Sequence, residues 1–178
     1  MKWIAALLIT TNAAMAECPA PPDHSVRMAE VIVEIQQSDG PVAARELTQL
    51  LWGMWLDAPD DAAQALLERG MAQSESQAFL AARDTFDDLI AYCPDYAEGY
   101  NQRAYASFLR RDYPAALVDL EMALDLMPTH IAALSGKALT LIGMGRAEEG
   151  QEALLGALAL NPWLAERALV TEPAGTDI

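Results

Sequence analysis

The chain has 178 residues, 53% hydrophobic and 21% charged, which is the length of one ordinary domain with enough apolar material for a buried core. Acidic residues outnumber basic ones 26 to 11, giving a net charge of −15. That balance excludes a duplex nucleic-acid binder and disfavours adhesion to an anionic membrane, because nothing would neutralise the phosphates or headgroups.

The first segment reads as a secretory signal. Met1-Lys2 is a short basic start, Ile4 to Ile9 is a brief apolar run, and Ala14-Met15-Ala16 offers small residues where a signal peptidase reads. Cleavage is predicted after Ala16, with delivery to the periplasm. The apolar run is too short to span a bilayer, so no stable membrane anchor is expected after cleavage. Export gives the two cysteines a role, because Cys18 and Cys93 both follow the predicted cleavage site and an oxidising compartment favours a disulfide between them. Residues 17–25 carry the stretch CPAPPDHS, whose prolines keep it extended and able to reach Cys93. There is no C-x-x-C motif of the kind a redox enzyme uses.

After Ser25 the pattern is helical almost throughout. Apolar residues at 28, 31, 32 and 35 form one stripe; Leu47, Leu50, Leu51, Met54 and Leu56 form a second, after the turn Ser38-Asp39-Gly40-Pro41. Residues 26–62 are predicted to be a divergent helical pair capping an array, with Trp52 and Trp55 packed inside that cap; a ligand-facing role for the two tryptophans is the other reading. From residue 63 a 34-residue period appears. It relates Pro94, Pro128 and Pro162; Ala82, Ala116 and Gly150; Phe86, Leu120 and Leu154; Gly70, Ala104 and Ala138; and Leu66, Tyr100 and Leu134. A small residue in each first helix lets the second approach closely, the large one fills the gap, and the proline ends the unit. The fold class that follows is all-α: an α-solenoid of helix hairpins over 63–96, 97–130 and 131–162. One hairpin cannot bury its own face, so the copies must stack. Residues 163–170 are predicted as a capping helix whose Trp163 and Leu164 cover the last repeat, and 171–178 as a polar tail.

The copy AEGYNQRAYASFLRRDYPAALVDLEMALDLMPTH, Ala97 to His130, resembles the tetratricopeptide repeat family; 63–96 and 131–162 match less fully. The seventh position, often leucine in the family, holds Arg69, Arg103 and Lys137, and the usually aromatic eleventh holds Gln73, Ser107 and Leu141. The three bases are read as internally paired, Arg103 with Asp119 and Lys137 with Glu152; a ladder capturing an anionic ligand is the other reading. The resemblance implies a concave groove that binds a protein or peptide. Carried onto this chain, its lining is Gln64, Leu67, Met71, Ser74 and Glu75; Glu98, Asn101, Tyr105, Phe108 and Leu109, with Gln102 beside them; and Ala132, Ser135, Leu139, Ile142 and Gly143. Phe108, Leu109 and Ile142 have a second reading as residues buried between repeats. The mixture suits an amphipathic helix or an extended apolar peptide. It does not match the family's lysine clamp for a C-terminal carboxylate.

Neither His24 nor His130 has metal-ligand spacing, and both are read as surface residues. Asp57, Asp60 and Asp61 lack the alternating ligands of a calcium loop, and Asp84, Asp87 and Asp88 read as a solvated helix face. With no phosphate loop, nucleophile elbow or Cys–His arrangement, no enzyme, cofactor or metal is expected. The expected function is an exported scaffold that binds a protein or peptide in its groove. The alternative is an assembly subunit of a cell-envelope complex or homo-oligomer that joins through its end caps. The acidic balance favours a basic partner; solubility alone is the other reading of that charge.

Overall fold

The computed structural model describes residues 17–171; the predicted signal and most of the polar tail lie outside the described residues. Eight α-helices follow in order: α1 Ser25–Gln36, α2 Pro41–Trp55, α3 Asp61–Glu75, α4 Phe79–Tyr92, α5 Ala97–Leu109, α6 Tyr113–Leu126, α7 Ile131–Gly143 and α8 Ala147–Leu160. There is no strand among the described residues, and no described helix is long and apolar enough to cross a membrane.

The period is visible in the backbone. Cys93, Met127 and Asn161 each end a second helix in an extended conformation, at φ −124°, −140° and −138°. Each precedes one of the periodic prolines, whose ring disfavours the helical region for its predecessor. The turn inside each hairpin places one residue in the left-handed region: Gln77 at φ 62°, Arg111 at 61° and Gly145 at 78°. These three are also in 34-residue register, and the glycine adopts the conformation without the Cβ clash that Gln77 and Arg111 carry. At the start of α3, the Asp60 carboxylate accepts from the Ala63 N–H at 2.8 Å and from the Tyr92 hydroxyl at 2.6 Å. One side chain thereby caps α3 and ties it to the end of α4.

Helices α3–α4, α5–α6 and α7–α8 are the three hairpins, joined by packing of α4 on α5 and of α6 on α7. The first helices α3, α5 and α7 neighbour one another and form one layer. The small and large partners compensate within each copy. The first copy pairs Gly70 with the larger Phe86, where the others pair Ala104 with Leu120 and Ala138 with Leu154. A Cβ on Gly70 would stand 2.4 Å from the Phe86 ring, which is fully buried.

The N-terminal pair forms but does not stack on the first repeat. Helix α1 packs against α8, and the apolar cluster of Met28, Val31, Ile32, Ile35, Ala44, Leu51 and Trp55 includes Ile131 of α7. Met127, Leu160, Trp163 and Leu164 border the same cluster. Gln36 Nε2 donates to the Ala159 carbonyl at 2.8 Å, and Asn161 Nδ2 donates to Thr48 Oγ1 at 3.3 Å. The physical reason lies in what each end leaves uncovered. The last repeat presents apolar residues, and the described residues after it supply no α-helix. Residues 163–170 hold a five-residue 3-10 turn, Ala165–Leu169, in which nothing is buried. The outer face of α3 instead carries the exposed alanines Ala62, Ala65 and Ala72 with Glu68 and Arg69, and gains little from cover. The disulfide forms between Cys18 and Cys93, with Cα atoms 5.2 Å apart, and straps residues 17–24 to the end of α4.

Gly70→Ala is expected to destabilise the chain by about 1–3 kcal/mol despite alanine's better helix propensity. Adding Phe86→Leu, which recreates the pairing of the other copies, should recover part of that loss. Urea unfolding of the single and double variants checks this; equal stability of wild type and Gly70→Ala would contradict it.

Candidate functional site

The route of α2 across the concave side turns the groove into a chamber of about 580 Å3. Thr48, Trp52 and Trp55 of α2 form one wall; α3, α5 and α7 form the other. Leu164 and Glu166 border it from the segment after α8. Of the sixteen groove positions carried over, Met71, Asn101, Gln102, Tyr105, Phe108, Ser135 and Leu139 line this space. Ser74, Glu75 and Ala132 do so as well.

The other six lie elsewhere. Leu67 is fully buried in the core between α3 and α4. Gln64 accepts from the Ala58 N–H at 3.1 Å and donates to Glu68 at 3.0 Å, closing the turn before α3. Leu109 is exposed at the end of α5. Ile142 packs against Gly150 of its own hairpin. Gly143 meets Tyr113 rather than the chamber.

Glu98 is 1% exposed and belongs to a buried polar cluster. Its carboxylate accepts from Asn101 and Gln102 and lies 2.8 Å from His130 Nε2. His130 is not a surface residue: its exposure is zero. Its Nδ1 caps α7 by accepting from the Ala133 N–H at 3.3 Å, which assigns the Nε2 proton to the bond with Glu98. The imidazole also stacks on Trp55, with ring centroids 4.3 Å apart and planes 17° from parallel. The Tyr96 hydroxyl donates to the Trp55 carbonyl at 2.6 Å. Burial, followed by the nearby Glu98 and Asp57 charges, pushes the Tyr96 phenol well above its ordinary range, so it stays a donor. Trp55 therefore has a fixed place, and among the described residues it alone is shared by the chamber and a second cavity of about 500 Å3 near the proline-rich strap.

The basic positions face neither cavity. Arg103 Nε donates to Asp119 at 2.9 Å and Nη1 to Asp87 at 2.6 Å. These acids, Asp119 first, hold the guanidinium above its ordinary value against the opposing cost of burial. Lys137 pairs with Glu121 at 3.2 Å rather than with Glu152. Glu121 stands one period after Asp87, so both pairs reach back to the preceding hairpin. Among the described residues no group of three or more His, Cys, Asp or Glu is placed to hold a metal ion.

The sequence signal for the chamber's second wall was missing. Trp52 and Trp55 lie outside the repeat, and no spacing relates them to α7.

No protein-family model matches the chain. It is 29% identical over 148 residues to a TPR repeat-containing protein of Rhizobium etli, covering 83% of this chain and 67% of that one. It is 40% identical over 65 residues to the tetratricopeptide repeat protein 36 homolog of Nematostella vectensis, where it spans 36% of each chain. Among solved structures, the first TPR of Spaghetti (RPAP3) bound to the HSP90 peptide SRMEEVD superposes with a TM-score of 0.59 at 21% identity, over 60% of this chain and 85% of that one. The chain is similar in sequence to tetratricopeptide repeat proteins and has their fold. Within this tetratricopeptide repeat fold, the N-terminal hairpin and the Glu98–His130–Trp55 cluster set the end of the chamber.

His130→Leu should lower the free energy of unfolding by about 3 kcal/mol, because it leaves a buried carboxyl short of a partner and removes the α7 cap. Urea titration followed by tryptophan fluorescence reads it. A change below about 0.5 kcal/mol, the range of an ordinary surface substitution, would contradict the role assigned to this cluster.

Proposed function

We propose that the protein is an exported, non-catalytic interaction scaffold that seats part of a partner protein in the chamber between α2 and the first helices of its three repeats. The observation that carries this reading is the chamber itself. It is about 580 Å3, within the range of pockets that hold ligands. Trp52, Tyr105 and Phe108 supply aromatic surface, Met71 and Leu139 aliphatic surface, and Asn101 and Gln102 amides. Tyr105 is 53% exposed at the opening, as an anchor for a guest would be. The RPAP3 domain binds its peptide on the same kind of fold, which supports a peptide or protein guest here.

Periplasmic location belongs to the same proposal. The predicted signal at residues 1–16 supports it, as does the Cys18–Cys93 disulfide, which suits an oxidising compartment. The assembly reading requires an apolar terminal face free to meet another chain. The face of α8 is already occupied by α1, which favours the chamber.

The test is recovery of partners from the periplasm by tagged wild-type protein and by the Tyr105→Ala/Phe108→Ala variant, with the variant's fold checked by circular dichroism. Loss of two aromatic anchors should reduce recovery of the specific partner by about tenfold or more. Recovery undiminished by the double variant, or a tagged chain retained in the cytoplasm with its leader intact, would contradict the proposal.

A further inference from the structure

Resting on that reading, the geometry points to the kind of partner feature the chamber takes: a short basic anchor, with one or two bulky apolar side chains flanked by lysine or arginine, offered by a loop tip or terminus rather than along an extended strand.

The first argument is that the chamber is closed at its far end. An open groove between stacked repeats would let an extended peptide run from one side to the other. Here Trp55, 3% exposed, stands between the two cavities. It is held by the His130 stack on one side and by the Tyr96 hydroxyl on its carbonyl. A guest that enters past Tyr105 meets this wall, so the depth available is a few side chains and not a strand.

The second argument is charge. Among the described residues no lysine, arginine or histidine lines the chamber, and the charged ones that do are Glu75 and Glu166. Glu75 is exposed and Glu166 half-buried, and neither forms an ion pair among the described residues. Arg167, the neighbouring cation, lies over the Trp163 ring at 5.7 Å. Glu75 is the last residue of α3, so the negative end of that helix dipole adds to its carboxylate. A cation at the mouth is favoured from both sources, and the overall charge of −15 adds long-range attraction. The RPAP3 structure makes the contrast, because its guest SRMEEVD is acidic.

The test uses end-labelled peptides and fluorescence anisotropy on the full chain without its leader and with the disulfide intact. Two blocked tetrapeptides share a Leu-Phe centre, one flanked by lysines and one by glutamines. At low ionic strength the lysine peptide should bind about tenfold more tightly than the glutamine peptide. That preference should fall to about twofold or less in Glu75→Gln/Glu166→Gln and at ~0.5 M salt, with glutamine-peptide affinity unchanged. A third peptide embeds the lysine tetrapeptide in roughly twelve residues of Gly-Ser and should bind within about threefold of the short one, because nothing beyond the anchor is received. Equal binding of the lysine and glutamine peptides would overturn the charge selection while leaving a guest in the chamber. A gain of tenfold or more for the long peptide would overturn the closed end. Failure of both tetrapeptides to bind would overturn the anchor, and if the Tyr105→Ala/Phe108→Ala variant also kept its partner, the chamber reading falls with it.

Discussion

A stack of helix hairpins ends in a face that the next hairpin would have covered. In this chain that face belongs to α7 and α8, and it is apolar: Ile131 is 2% exposed, and Leu160, Trp163 and Leu164 border the cluster beside it. The residues that follow in sequence supply a 3-10 turn with nothing buried. The nearest element able to cover the face is the one farthest away along the chain. Val31, Ile35 and Leu51 lose all their exposure by doing so, and fully burying a side chain of this kind contributes roughly 1.5–3 kcal/mol. The rest of the site follows: α2 must cross the concave side to bring α1 onto α8, and in crossing it walls off the groove.

The repeats were legible because the constraint that shapes them is local and recurs. Pro94, Pro128 and Pro162 set three helix ends, and the small and large residues of each hairpin set its closeness. The pairing of Arg103 with Asp119 was legible for a related reason, since it closes within one hairpin. The Lys137 partner was not. The acid it meets, Glu121, belongs to the preceding hairpin, and the inter-hairpin register had to be seen in Asp87 and Arg103 first.

The placement of α1 and α2 was not legible because their stripes show that each has a face to bury and not which surface buries it. His130 was misread for the same reason. A histidine in an inter-repeat turn is ordinarily solvated, but here Trp55, from outside the repeats, covers it. Ten of the sixteen groove positions carried from the family line the chamber, because α3, α5 and α7 keep the family's arrangement. The failures at Glu98 and Leu67 come where side chains are committed to holding the fold.

The docking of the N-terminal hairpin across the groove is the claim on which the chamber, its closed end and its choice of guest all depend. Nuclear Overhauser spectroscopy on the folded, oxidised chain measures it most directly. Cross-peaks are predicted between the Trp55 indole and the His130 ring, and between the Gln36 side-chain amide and Ala159. Their absence, with cross-peaks instead from α1 or α2 to Ala65, Arg69 and Ala72 on the outer face of α3, would contradict the account.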